Sequence, residues 1–133
     1  MSVLGELQPN KVFKYFEEIC SIPHGSRNLQ QISDYLVDFA KAHELKYRQD
    51  EDLNVIIWKD GSKGYEASEP VILQGHMDMV AVKEADCDKN MEKEGLDLEI
   101  NGDYISAKGT SLGGDDGIAV AYTLAVLDDE EMA

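Results

Sequence analysis

Cysteine is scarce and positive charge is outweighed. Cys20 and Cys87 are the two cysteines of a 133-residue chain. They stand far apart with no C-x-x-C spacing, so neither a zinc knuckle nor a disulfide framework is indicated, and a reducing, cytoplasmic setting is expected. Lysine and arginine number 12 against 27 aspartates and glutamates, a formal net charge of −15. That excess opposes phosphate backbones and anionic membranes, so neither nucleic acid nor a membrane surface is expected as a partner. No apolar run approaches the roughly 18 residues of a membrane span. Met1 to Asn10 lacks the basic start and apolar core of a secretory leader.

The composition, 43% hydrophobic and 29% charged, is that of an ordinary globular protein. A chain of this length buries on the order of two-thirds of its unfolded surface around one core, so one domain or part of one is expected. Val12, Phe13, Phe16, Ile19 and Cys20 recur at helical spacing and predict a first amphipathic helix within Pro9 to Ile22. Pro23 and Gly25 end it, Asn28 is placed to cap a second helix over Leu29 to His43, and Ile32, Tyr35, Leu36, Phe39 and Ala40 would form the inner face of that helix.

Glu44–Asp50 and the β-branched, aromatic Leu53–Lys59 predict two neighbouring strands, and Val71–Gly75 reads as a buried strand introduced by Pro70. Lys83 to Glu94 has no period and predicts an exposed loop. Leu96–Ile100, the turn Asn101-Gly102-Asp103 and Tyr104–Ala107 predict a hairpin, and Ile118 to Leu127 a buried helix. Helices, strands and a glycine-rich turn into a further helix indicate an α/β domain with its site at strand ends. The last helix is apolar all round and needs cover on more than one side, which suggests an excised piece of a larger fold.

Two stretches carry the chemistry. Val71 to Val80 ends by presenting His76 and Asp78, which share one face of an extended chain while Met77 and Met79 take the other. That spacing suits a metal-bound imidazole held in one tautomer by a supporting acid, although a lone strand histidine is more often a structural, hydrogen-bonded one. The second stretch, Gly109 to Gly117, sets Asp115 and Asp116 at a sharp turn. Both acids could cap the following helix, which is the better reading for Asp116. For Asp115 the flanking glycines equally suit close approach to a cation, and one carboxylate can bridge two.

Other signals fail on inspection. The glycine turn lacks the G-K-[ST] ending of a phosphate loop, and Asp86-Cys87-Asp88-Lys89-Asn90 opens like a calcium loop but has Met91 where glycine is needed. His24 and His43, by a turn and at a helix end, are assigned surface positions and no chemistry.

Gly75-His76-Met77-Asp78-Met79-Val80 followed by Ala107-Lys108-Gly109-Thr110-Ser111-Leu112-Gly113-Gly114-Asp115-Asp116-Gly117-Ile118, with Ile19 to His24 and Asn101-Gly102-Asp103 matching in order, resembles the aminoacyl-histidine (Xaa-His) dipeptidases of the M20 family of cocatalytic zinc peptidases. The resemblance implies a fold, the N-terminal part of a zinc-peptidase catalytic domain, with an open mixed sheet and flanking helices over residues 1–133. It implies His76 as a zinc ligand, Asp78 as the active-site acid that orients it, and Asp115 as the bridge between two zinc ions. Asp116 and Gly114 stand where the family usually has asparagine and alanine. The family's general-base glutamate, its neighbouring ligand glutamate, and later aspartate and histidine ligands have no counterpart in the matched region. Neither does the second domain that caps the site and joins full-length members as homodimers. The expected activity is hydrolysis of a dipeptide such as β-alanyl-histidine, with the 133 residues alone inactive. An M20-type aminoacylase and a non-catalytic metal-binding module ending near Ala133 are the alternative readings.

Overall fold

A computed structural model describes residues 2–132; expectations resting on Met1 or Ala133 lie outside them. Helix α1, Asn10–Cys20, begins directly after Pro9 and buries Val12, Tyr15, Phe16, Ile19 and Cys20. Its Glu17 carboxylate gathers the Ser2 hydroxyl at 2.7 Å and the Val3 and Leu4 amides at 2.6 and 3.2 Å. Those three bonds draw the N-terminal segment inward and seat Leu4 in the core.

Helix α2, Gln30–Ala42, buries Ile32, Ser33, Leu36, Val37, Phe39 and Ala40. The expected face is present, with Tyr35 half-buried and its hydroxyl donating to Glu18 at 2.6 Å. Asn28 does not cap this helix: Leu29 occupies the cap position, and the Asn28 side chain donates to the Glu92 carbonyl instead. Helix α2 packs on the antiparallel pair β1, Lys46–Gln49, and β2, Val55–Trp58. Their register sets Tyr47 opposite Ile57 and Gln49 opposite Val55. The buried Ser33 hydroxyl donates to the Leu53 carbonyl at 2.7 Å and accepts from Gln49, which pins the strand connection to the helix.

The predicted hairpin is present as β3, Leu98–Asn101, and β4, Tyr104–Ala107, joined through Gly102 at φ 61°. Helix α3, Gly114–Leu127, lies against α1 and buries Gly117, Val120, Ala121 and Leu124, while the opposite side, including Tyr122, faces outward. The mixed α/β class therefore holds, but in place of the expected open mixed sheet the described residues form two separate two-stranded antiparallel sheets, because each strand pairs only with its neighbour in sequence.

Val71–Gly75 is the main departure. No strand forms there, and Val71 and Ile72 are 82% and 88% exposed. An apolar run becomes a buried strand only between hydrogen-bonded neighbours. Among the described residues none pairs with this segment. The loop 83–94 is largely exposed as expected, except that Lys89 is drawn in by the Gly95 carbonyl at 2.7 Å and the Asp97 carboxylate at 3.0 Å. Both cysteines are free. Among the described residues no helix is long and apolar enough to cross a membrane.

Candidate metal centre

Met79 anchors the site. Its amide donates to the His24 carbonyl at 3.0 Å, its carbonyl accepts from the Ser26 amide at 3.0 Å, and its side chain is buried. One residue further on, the Ser111 hydroxyl donates to the Val80 carbonyl at 2.6 Å and accepts from the Val82 amide at 3.1 Å. The Ser111 amide donates to the Val82 carbonyl, and the Glu84 amide to the Gly109 carbonyl. Residues 79–84 are thus stitched to 24–26 on one side and to 109–111 on the other. This stitching, rather than a sheet ladder, carries the stretch that ends in His76 and Asp78.

Side-chain alternation then acts as anticipated. With Met79 turned inward, Asp78 is turned outward beside His76. The His76 Nδ1 lies 3.0 Å from Asp78 Oδ1 and 3.1 Å from the Asp78 carbonyl. Both neighbours of Nδ1 are acceptors, which favours a proton on that nitrogen. On the other side of the ring, Nε2 lies 2.9 Å from Asp115 Oδ1. The three residues picked out from sequence, His76, Asp78 and Asp115, are therefore in one chain of contacts, although Asp115 is 39 positions from His76.

Asp115 reaches His76 because the glycine turn folds over Met79. Gly113 has φ 76°, a conformation that suits glycine, and a Cβ there would sit 2.8 Å from the Met79 sulfur. Asp115 and Asp116 at the start of α3 depart from helical backbone angles, and the peptide between them is cis. Asp116 does not cap the helix; α3 has no side-chain cap. Its Oδ2 instead accepts the His76 amide at 3.2 Å. Gly75 makes room for that contact, since a Cβ on it would lie 2.9 Å from the same oxygen.

The electrostatics follow from these contacts. Hydrogen bonding to Asp115 raises the His76 pKa, with Asp78 adding to it and slight desolvation working against. The Ser26 hydroxyl, 2.6 Å from Asp78 Oδ2, holds the Asp78 carboxyl below the usual carboxylate range; slight burial opposes this, and His76 reinforces it. Asp115 is open to solvent, its side chain 93% exposed.

His24 corrects the surface assignment made from sequence. It is 2% exposed, with Nδ1 2.6 Å from the Ile22 carbonyl, and burial lowers its pKa against the effect of that bond. The turn that carries it pairs with Met79, whose amide donates to the His24 carbonyl while Gly25 bridges to it. His43 rests on the Phe39 ring near Asp128. Asp116 and Ser26 were the contributors that sequence reasoning missed. For Asp116 the small residue before His76 was the available signal; for Ser26, 52 positions from Asp78, there was none.

Zinc takes four ligands in a tetrahedron, with zinc–ligand distances near 2.0–2.2 Å, so two ligands of one ion sit about 3.3 Å apart. The His76–Asp115 pair, in direct contact at 2.9 Å, lies a few tenths of an ångström inside that spacing, and Asp78 is placed as the acid on the distal ring nitrogen. Among the described residues no three His, Cys, Asp or Glu side chains group around one point.

No protein-family model matches the chain. Cytosol non-specific dipeptidase of Escherichia coli (strain K12) is 39% identical over 132 residues, 99% of this chain and 27% of that protein. The crystal structure of aminoacylhistidine dipeptidase from Vibrio alginolyticus superposes with a TM-score of 0.93 at 38% identity, covering 98% of this chain and 26% of that one. A tripeptidase from Staphylococcus aureus matches with a TM-score of 0.65 at 22% identity, covering 92% of this chain and 32% of that one, which is a likeness of fold alone. By sequence and by structure the chain is a homologue of the dipeptidases, hydrolases of peptide bonds, and spans about a quarter of their length.

Proposed function

We propose that residues 1–133 are part of the catalytic domain of a metal-dependent dipeptidase acting on Xaa-His substrates such as β-alanyl-histidine, with His76 and Asp115 as zinc ligands. The observation that carries this reading is the 2.9 Å approach of His76 Nε2 to Asp115 Oδ1 while Nδ1 is occupied by Asp78. The names of two relatives, a non-specific dipeptidase and an aminoacylhistidine dipeptidase, support dipeptide hydrolysis.

In this reading His76 offers the Nε2 lone pair, and Asp78 keeps the ring in the Nδ1–H tautomer and at a fixed tilt. Asp115 has a second oxygen free of the His76 contact and can bridge a pair of ions. When bound, a zinc pair polarises the peptide carbonyl and lowers the pKa of water to near 7. The group that takes the water's proton is not among these residues, so the 133 residues alone turn over no dipeptide. A cytosolic setting and a homodimeric full-length enzyme belong to the same proposal.

The test is equilibrium dialysis against zinc of the chain, His76→Ala and Asp115→Ala, with a β-alanyl-histidine assay alongside. Both substitutions should lower retained zinc by tenfold or more, and none of the three should hydrolyse the dipeptide. Unchanged zinc retention in His76→Ala overturns the ligand assignment, and zinc-dependent turnover by the chain overturns the incomplete-site reading.

A further inference from the structure

A carboxylate that steadies a histidine must itself be held, because the terminal torsion of aspartate is broad and nearly two-fold. In this chain the holding group comes from the turn after α1. The Ser26 hydroxyl lies 2.6 Å from Asp78 Oδ2 and 3.4 Å from the Met79 carbonyl. A hydroxyl has one proton to give, and the shorter, charged acceptor takes it. Ser26 is not free to drift, since its own amide donates to the Met79 carbonyl and the neighbouring Gly25 pairs with Met79 as a parallel bridge.

With Oδ2 held, Oδ1 is left facing His76 Nδ1 at 3.0 Å. The order Ser26, Asp78, His76, Asp115 runs donor to acceptor to ring to acceptor across three segments far apart in sequence. We infer that Ser26 is a positioning residue: by fixing Oδ2 of Asp78 it turns Oδ1 to the Nδ1 proton of His76, which leaves Nε2 as the nitrogen facing Asp115. This rests on the reading of His76 as a ligand through Nε2. It adds to the site a residue that lies outside the two motif stretches.

The readout is the tautomer balance of His76 in the metal-free chain, taken from its ring nitrogen shifts at alkaline pH. Ser26 is exposed, so its substitution leaves the fold intact, and the amide spectrum verifies that. Ser26→Ala should reduce the ratio of Nδ1–H to Nε2–H forms by roughly three- to tenfold, the factor that loss of one net hydrogen bond gives. Ser26→Thr, which keeps the hydroxyl, should restore the ratio. In an Asp78→Ala background, Ser26→Ala should produce no further change. An unchanged ratio in Ser26→Ala overturns the inference, as does a shift that threonine does not restore. Failure of the ligand reading shows elsewhere, as zinc retained by His76→Ala while the tautomer shift of Ser26→Ala persists.

Discussion

Met79 lies directly beneath Gly113, and a Cβ at Gly113 would come within 2.8 Å of the Met79 sulfur and 3.0 Å of its Cβ. That contact is how a glycine turn at residues 109–117 comes to set Asp115 over His76. It also relates the two faces of residues 76–79: Met79 packs inward against the turn so that Asp78 can stand outward beside His76.

Gly113→Ala should therefore injure the site more than its size suggests. Alanine at φ 76° costs on the order of 1–2 kcal/mol, and its methyl meets Met79 as well. Met79→Ala, at a buried position, should cost about 2–5 kcal/mol. Urea unfolding of both variants measures these losses, and the His76 ring signals should report loss of the Asp115 contact in each.

Gly75→Ala places a methyl where Asp116 Oδ2 accepts the His76 amide. Its expected effect is faster amide hydrogen exchange at His76, matched by Asp116→Ala, with stability lower by about 1 kcal/mol. Asp116→Asn keeps a carbonyl oxygen for the same amide and should leave exchange close to that of the parent chain. Exchange at His76 indifferent to Gly75→Ala and Asp116→Ala would show that the bond does not hold the backbone.

Acid should loosen the N-terminal segment. Burial acts to raise the Glu17 pKa, but bonds from the Val3 amide, the Ser2 hydroxyl and the Leu4 amide outweigh it and leave the carboxyl lowered. A carboxyl depressed in the folded state stabilises it fully above the unfolded value near 4.3, and the contribution is lost as pH falls through the folded pKa. Glu17→Gln should flatten that acid limb of the stability profile. An acid limb identical in Glu17→Gln and the parent chain would show that the contribution lies elsewhere.

Helices α1 and α2 and the β3–β4 hairpin were legible because their signals are local: a three-four apolar rhythm, a proline, a glycine in a two-residue turn. The pairing of His76 with Asp78 was legible for the same reason, being a matter of alternation two residues apart. Val71–Gly75 was misread because apolar composition records a tendency to be covered, whereas a strand needs partners that sequence proximity does not reveal. His24 was placed on the surface because proline and glycine flank it, whereas the residue its turn pairs with, Met79, is 55 positions on. Asp116 looked like a helix cap by position; the helical backbone does not begin cleanly there, and the carboxylate turns to the His76 amide instead.

The central claim is that Nε2 of His76 faces a metal shared with Asp115 while Nδ1 keeps its proton for Asp78. It is tested most directly by the ring nitrogen spectrum of His76 recorded without zinc and at saturating zinc. The account predicts that Nε2 moves to a metal-bound shift, that Nδ1 remains protonated, and that Asp115→Ala weakens the response by tenfold or more. A spectrum in which Nε2 does not move, or in which Nδ1 is the nitrogen that loses its proton to zinc, would contradict it.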